Sequence, residues 1–179
     1  MLEAAVDVVQ GEGADGLGIS SVARALGIRP ASMYNHVTSG EALARRVADE
    51  GTRRLVEALK SAVRGVVEPQ EQLRLLAHGV RDWAVANGGL YGLMARVQPD
   101  YSSADIPPVA RDLLDLFDRP LGQLGIAQDQ RVHAMRSLRA AIHGFVLLEA
   151  SGQFQLDADV AESFRWSVES LIRGVATAT

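Results

Sequence analysis

The chain has 179 residues, 47% of them apolar and 22% charged, which supplies enough hydrophobic material for one domain or two small ones and gives no sign of long disorder. It contains no cysteine, which excludes a disulfide scaffold, a thiol nucleophile, a thiolate zinc site and a Cys-ligated iron–sulfur cluster. No apolar run approaches the roughly 20 residues of a membrane span, and Met1 to Ala4 lack the basic and apolar regions of a signal peptide, so a cytoplasmic protein with no membrane partner is expected.

Eighteen basic residues against 22 acidic ones give a net charge of −4, which argues against a generic polyanion binder. The distribution is uneven. Between Ser20 and Arg46 stand Arg24, Arg29, Arg45 and Arg46 with Glu41 as the only acid, so a local basic face is expected in an otherwise acidic chain. Lys60 is the only lysine beside 17 arginines. A guanidinium suits bidentate phosphate contact better than an ammonium does, although a GC-rich genome accounts for the same bias.

Clean two-residue alternation is nearly absent and apolar residues recur at helical spacing, so the chain reads as all-α. Leu2, Ala5, Val6 and Val9 form the stripe of a first helix, ended by Gly11, Gly13, Gly16 and Gly18. Ser20 or Ser21 can cap a short second helix carrying Val22, Ala23 and Leu26. Gly27 supplies a turn, and Pro30 opens a third helix reaching about Val37. Thr38 or Ser39 can cap a long fourth helix from about Glu41 towards Gly65. Leu73, Leu76, Ala77, Val80 and Ala84 mark a fifth, stopped at Asn87-Gly88-Gly89, and Leu90 to Val97 makes a sixth. After a loop from Gln98 to Pro108, a seventh helix should run to about Leu124 with Val109, Leu113, Leu116 and Phe117 on its apolar side. Two wide apolar patterns close the chain: Met135, Leu138, Ile142, Phe145 and Val146, then Val160, Phe164, Val168, Leu171, Ile172 and Val175. Such faces can complete a monomer core or form a four-helix bundle with a second subunit.

The stretch from Val22 to Tyr34 satisfies a helix-turn-helix position by position. Ala23 is small where two helices cross, Gly27 takes the backbone through the turn, Ile28 plugs the space beneath it, and Val22, Leu26 and Met33 face the first helix. The following helix then presents Arg29, Ala31, Ser32, Tyr34, Asn35 and His36 outward, a mixture of phosphate and base-edge chemistry.

This segment resembles the DNA-binding domain of the tetracycline-repressor (TetR) family of transcription regulators. The resemblance rests on an amphipathic first helix, Val22-Ala23 with Leu26-Gly27-Ile28, the Ser32-Met33-Tyr34 step, His36, and Glu41-Ala42-Leu43 opening the fourth helix. A second resemblance, of Leu138 to Val146 with Leu148-Glu149 and Gly152, is to the WHG-type effector domain of some TetR regulators. Similar proteins usually carry a phosphate-contacting lysine where this chain has Gly40, an aromatic where it has Val37, and often a basic arm before helix one. Binding that is weakened and steeply salt-dependent is therefore expected.

The resemblance implies a DNA-binding domain at residues 1–46 and a ligand-binding and dimerisation domain at 47–179, in a homodimer on double-stranded operator DNA. The DNA-binding set is Ser20, Ser21, Arg29, Pro30, Ala31, Ser32, Tyr34, Asn35 and His36. Tyr34 and Ser32 match phosphate-contacting positions; Arg29, Ala31 and Asn35 are the candidates for base contact. His36 either touches phosphate or hydrogen-bonds within the domain. A small-molecule effector is implied in the body, where Trp83, Tyr91, Met94, Phe117, Arg139 and His143 combine apolar walls with polar groups, as core residues also do. Relief of repression by that effector is the logic the resemblance implies.

A non-enzymatic regulator without cofactor or metal is thus expected. His78 with Asp82 and Asp129 with His133 have the spacing of paired ligands, which surface ion pairs share, and no catalytic or phosphate-loop motif is present. The alternative is a helical protein with a small-molecule site, an enzyme or binding module, that has lost specific DNA binding. A third reading keeps the helix-turn-helix only as a scaffold for protein interaction, and Gly40 is the feature that favours that one.

Overall fold

A computed structural model of the chain describes residues 1–97 and 107–177. Among the described residues every regular element is helical: α1 (Leu2–Glu12), a short 3-10 turn (Ala14–Gly16), α2 (Ile19–Ala25), α3 (Pro30–Met33), α4 (Gly40–Ala62), α5 (Pro69–Ala86), α6 (Gly88–Arg96), α7 (Pro108–Gln123), α8 (Gln128–Ala150) and α9 (Val160–Ala176). The chain is all-α, as its periodicity dictates. Most of the loop expected from Gln98 to Pro108 lies outside the described residues.

Two compact units divide the chain. The first takes residues 1–54 and 86–110, the second 55–85 and 111–179. Within the first, Ala5, Val6, Val8 and Val9 bury the inner face of α1, and Val22, Ala23, Met33, Val37, Leu43 and Val47 complete a small apolar core. α6 packs on α1, and its Leu90, Tyr91 and Leu93 are buried. Gln10 ties that contact: its Nε2 donates to Asn87 Oδ1 at 2.8 Å while its Oε1 accepts from Leu90 N at 3.3 Å, which satisfies an otherwise open donor at the start of α6. The glycines expected to stop the fifth helix therefore begin the sixth. Gly89 is required there, because a Cβ on it would lie 2.1 Å from the Val9 carbonyl oxygen.

α4 carries a buried carboxylate in this unit. Glu50 is 9% exposed and accepts hydrogen bonds from Arg53 at 2.7 and 2.8 Å and from Arg54 at 2.7 Å; Arg54 also reaches Glu3 at 2.5 Å. The Arg53 hydrogen bonds, with those of Arg54, hold the Glu50 carboxyl down at about 2 against the opposing effect of burial. A carboxylate with a lowered folded value stabilises the fold above its ordinary value of about 4.5 and loses that contribution as pH falls towards 2. Wild type should therefore lose stability between those limits more steeply than Glu50→Gln, as read from urea midpoints across that range. Parallel pH profiles would show that Glu50 contributes nothing to acid sensitivity.

The second unit is built on Leu55, Val56 and Leu59 of α4, Leu73, Leu76 and Val80 of α5, Leu121 of α7, Leu138, Ile142 and Val146 of α8, and Phe164, Val168 and Ile172 of α9. Its helices are laced by charge pairs across the core rim: Arg74 to Glu169 at 2.5 Å, and Arg81 to both oxygens of Glu149 at 2.7 and 2.5 Å. Arg81 also lies 5.4 Å over the Phe164 ring. The last apolar pattern is thus split. Phe164, Val168 and Ile172 point inward, whereas Leu171 and Val175, with Trp166, line an open cleft against α8.

Candidate nucleic-acid interface

The turn between α2 and α3 is set by hydrogen bonding. Gly27 takes a φ of 67°; its N–H donates to the Arg24 carbonyl at 3.1 Å, and Ile28 N–H donates to the Ala23 carbonyl at 3.0 Å. This is the paired helix-end pattern in which a left-handed residue, best a glycine, returns two orphan carbonyls to the backbone. Arg29 is extended at the start of α3 and Pro30 occupies its first position, where no N–H is needed. The expected geometry is present, with α2 packed against both α1 and α3 and with Val22, Ala23 and Met33 fully buried.

Three local expectations are corrected. The cap of α2 is Gly18, not Ser20 or Ser21: Ser21 lies within the first turn, its Oγ accepting from Gly18 N at 2.9 Å and donating to Gly16 O at 2.7 Å. Regular helix in α3 ends at Met33, not near Val37, and the chain continues as turns with His36 N and Val37 N both donating to the Met33 carbonyl at 2.9 and 3.0 Å. Leu26 and Ile28 are 37% and 41% exposed, so Leu26 is not buried against the first helix and the plug beneath the turn is only partial.

The outward set is brought together as expected. Arg29, Pro30, Ala31, Ser32, Tyr34, Asn35 and His36 are all exposed, Tyr34 at 60%, while Met33 and Val37 anchor the same segment from beneath. Ser20 is exposed on α2 and Ser21 is half-buried, its hydroxyl engaged by the backbone. Arg29 makes no side-chain hydrogen bond or ion pair among the described residues, whereas Arg24 lies 3.6 Å from Glu12. Sequence reasoning missed the role of Arg46, whose Nη1 donates to the His36 carbonyl at 3.0 Å and so fixes the end of the exposed segment to α4. Ser39 caps α4 by accepting from Ala42 N at 3.1 Å, and Gly40 stands exposed where a Cβ would meet nothing within 4 Å.

In the remainder of the chain the expected ligand set divides between the two units. Tyr91, buried, and Met94, whose sulfur packs on Gly51, belong to the first unit; Trp83, Phe117, Arg139 and His143 belong to the second. His143 is half-buried, and burial followed by the charge of Arg139 pushes its imidazole below the ordinary value. Two clefts of about 450 Å³ each are bounded by described residues, one by α4, α5 and α7, the other by α8 and α9, and none of the six residues lines either. His78 packs edge-on to Phe164 with ring centroids 5.2 Å apart, a structural contact.

With this arrangement in view, the sequence profile described as "Tetracyclin repressor-like, C-terminal domain" matches residues 73–171, more than half of the chain. The chain belongs to the tetracycline-repressor (TetR) family of transcriptional regulators. It is 27% identical over 176 residues to the uncharacterized HTH-type transcriptional regulator YobS of Bacillus subtilis, covering 98% of this chain and 90% of that one. It is 29% identical over 184 aligned positions to the uncharacterized HTH-type transcriptional regulator Rv0681 of Mycobacterium tuberculosis, covering 100% and 81%. Its fold is similar to that of SCO7222, a TetR regulator from Streptomyces coelicolor, with a TM-score of 0.76, 20% identity and 98% and 95% of the two chains covered. The matched profile includes Leu138 to Gly152, the stretch that carried the second resemblance. For this TetR protein the head, the helix-turn-helix of α2 and α3 packed on α1, is thus defined by local turn chemistry, while the residues that support it from a distance, Gln10, Gly89 and Arg46, carry no motif that a sequence reading could have found.

Proposed function

We propose that this TetR regulator acts as a homodimer that reads a roughly two-fold symmetric operator through the segment Arg29 to His36, with residues 1–46 as the DNA-reading part and 47–179 as the effector-binding and dimerising part. The carrying observation is the exposed row Arg29, Ala31, Ser32, Tyr34 and Asn35 on a segment held from below by Met33 and Val37. Rigid support with exposed guanidinium, hydroxyl and amide groups is what phosphate positioning and base-edge readout need. In a dimer the two segments would enter successive major grooves about 34 Å apart. Cytoplasmic action on DNA fits a chain in which no described helix is long and apolar enough to cross a membrane.

The test is fluorescence anisotropy of the DNA flanking the protein's own gene, at two salt concentrations, against a scrambled duplex. Specific binding that weakens with salt is expected. Tyr34→Ala should weaken it about tenfold, the worth of one hydrogen bond to a charged phosphate, with little change in base preference. Equal, poor binding to both duplexes would favour the alternative of a helical binding module that no longer reads DNA.

The dimerisation reading is supported by the outer faces of α8 and α9. Ser137, Ser167, Ser170 and Gly174 are small enough for close helix approach, and beside them Trp166 is 71% exposed. Two copies of this helix pair would bury it in a four-helix bundle. Trp166→Glu should yield folded monomers in light scattering; a persistent dimer would place the interface elsewhere. Ligand control then follows if an effector prefers one arrangement of α4, a continuous helix of 23 residues that ends in the effector-binding part, since DNA affinity shifts by the ligand's differential affinity for the two states. Repression relieved by ligand is the simplest form of that control.

A further inference from the structure

The cleft formed by the end of α4 and its following turn, α5 and α7 holds two arginines, Arg64 and Arg119, that the packing of these helices does not use. Its volume, about 450 Å³, lies within the range of small-molecule sites. Val63 and Val66 on one side and Leu116 and Pro120 on the other give it an apolar lining, yet Arg64 and Arg119 stand on the two sides as well. Neither arginine makes a side-chain hydrogen bond or ion pair among the described residues. The remaining cation, Lys60, is already matched by Asp112 at 2.7 Å. Arg64 and Arg119 face Asp115 alone as a further charge, so the cleft keeps an excess of positive charge. Within the lining, Gln72 Nε2 donates to the Val66 carbonyl at 2.6 Å and ties α5 to the turn after α4.

Two guanidinium groups over an apolar lining select for an anion with an apolar body: the carboxylate gains charge-assisted hydrogen bonds, and the hydrocarbon removes valine, leucine and proline surface from water. An inorganic anion would gain only the first, and an organic cation would meet repulsion.

We propose that this cleft binds an organic carboxylate with an apolar body, its carboxylate held by Arg64 and Arg119. As a binding site it stands independently of DNA reading; as the effector site it rests on the regulator reading above. Lys60 links it to that reading, since it lies in the last turn of α4 and pairs with α7 across the cleft.

Calorimetric titration of the full chain with octanoate, octylamine and inorganic phosphate tests the proposal. Saturable octanoate binding is expected, with octylamine at least about tenfold weaker for want of the charge-assisted contact and phosphate at least about tenfold weaker for want of the buried hydrocarbon. Arg64→Gln and Arg119→Gln should each weaken octanoate by a similar factor, while Arg165→Gln on the exposed face of α9 leaves it unchanged. Both cleft arginines are exposed and unpaired, so thermal melts of the variants should match wild type. Absence of saturable octanoate binding, equal binding of phosphate or octylamine, or equal octanoate affinity in all variants overturns the site. If octanoate binds with the expected arginine dependence but leaves operator anisotropy unchanged, the site stands and only its effector role is lost.

Discussion

Gly89→Ala should destabilise the protein by about 3 kcal/mol, the upper end of overpacking costs, while Gly88→Ala one residue earlier should change stability by less than about 0.5 kcal/mol. The two positions differ in what a side chain would meet. A Cβ on Gly88 meets nothing within 4 Å, whereas one on Gly89 would sit 2.1 Å from the Val9 carbonyl oxygen and 3.0 Å from its carbon. Backbone cannot rotate away as a flexible side chain can, so α6 must move off α1. That movement would also break the Gln10 hydrogen bonds to Asn87 and to Leu90 N. Since α1 forms one wall of the core beneath α2 and α3, operator affinity should fall along with stability. Urea unfolding of the two variants side by side is the measurement, and coincident midpoints would show that the helices do not approach so closely.

Phe164→Ala should cost about 3–5 kcal/mol, as expected for removing a fully buried aromatic ring. Phe164 is 1% exposed; Phe145 and His78 pack on it with centroids 5.0 and 5.2 Å away, and the Arg81 guanidinium covers its face. Its loss leaves a cavity and removes the surface on which Arg81 is laid while it pairs with Glu149. Trp166, two residues on, is exposed and should tolerate alanine with little effect on the monomer's stability. The pair therefore separates core from interface: chemical denaturation reports Phe164, light scattering reports Trp166. A Phe164 variant that stays fully stable but becomes monomeric would reverse these assignments.

Much of the head was legible because its signals are local. A glycine with positive φ at a helix end, a proline at a first helical position and a serine before α4 each act within four residues, and the structure puts Gly27, Pro30 and Ser39 in those roles. The exposure of Arg29, Ala31, Ser32, Tyr34 and Asn35 follows from Met33 facing inward, and the burial of Val37 was added by the structure. Where local chemistry offered near-equal choices the reading slipped by a few residues: Ser21 serves the α2 start from inside the helix, and α3 loosens after Met33. The candidate ligand set was legible only as composition. Aromatic, methionine and histidine residues at helical spacing look alike whether they wall a pocket or fill a core, and Tyr91 and Met94 pack within the first unit.

The sequence by itself determined that the chain is helical, where most helices lie, and that a helix-turn-helix stands near its start, because periodicity, caps and turn glycines act over a few residues. Only the tertiary structure decided what each apolar face meets. It assigned α6 to α1 through a glycine contact of residues 80 positions apart, turned Phe164 inward while leaving Trp166 outside, and set Arg64 and Arg119 on the two sides of one cleft with an apolar lining. A stripe of given width tells how many residues avoid water. Which neighbour covers them depends on long-range packing, and no local pattern encodes that.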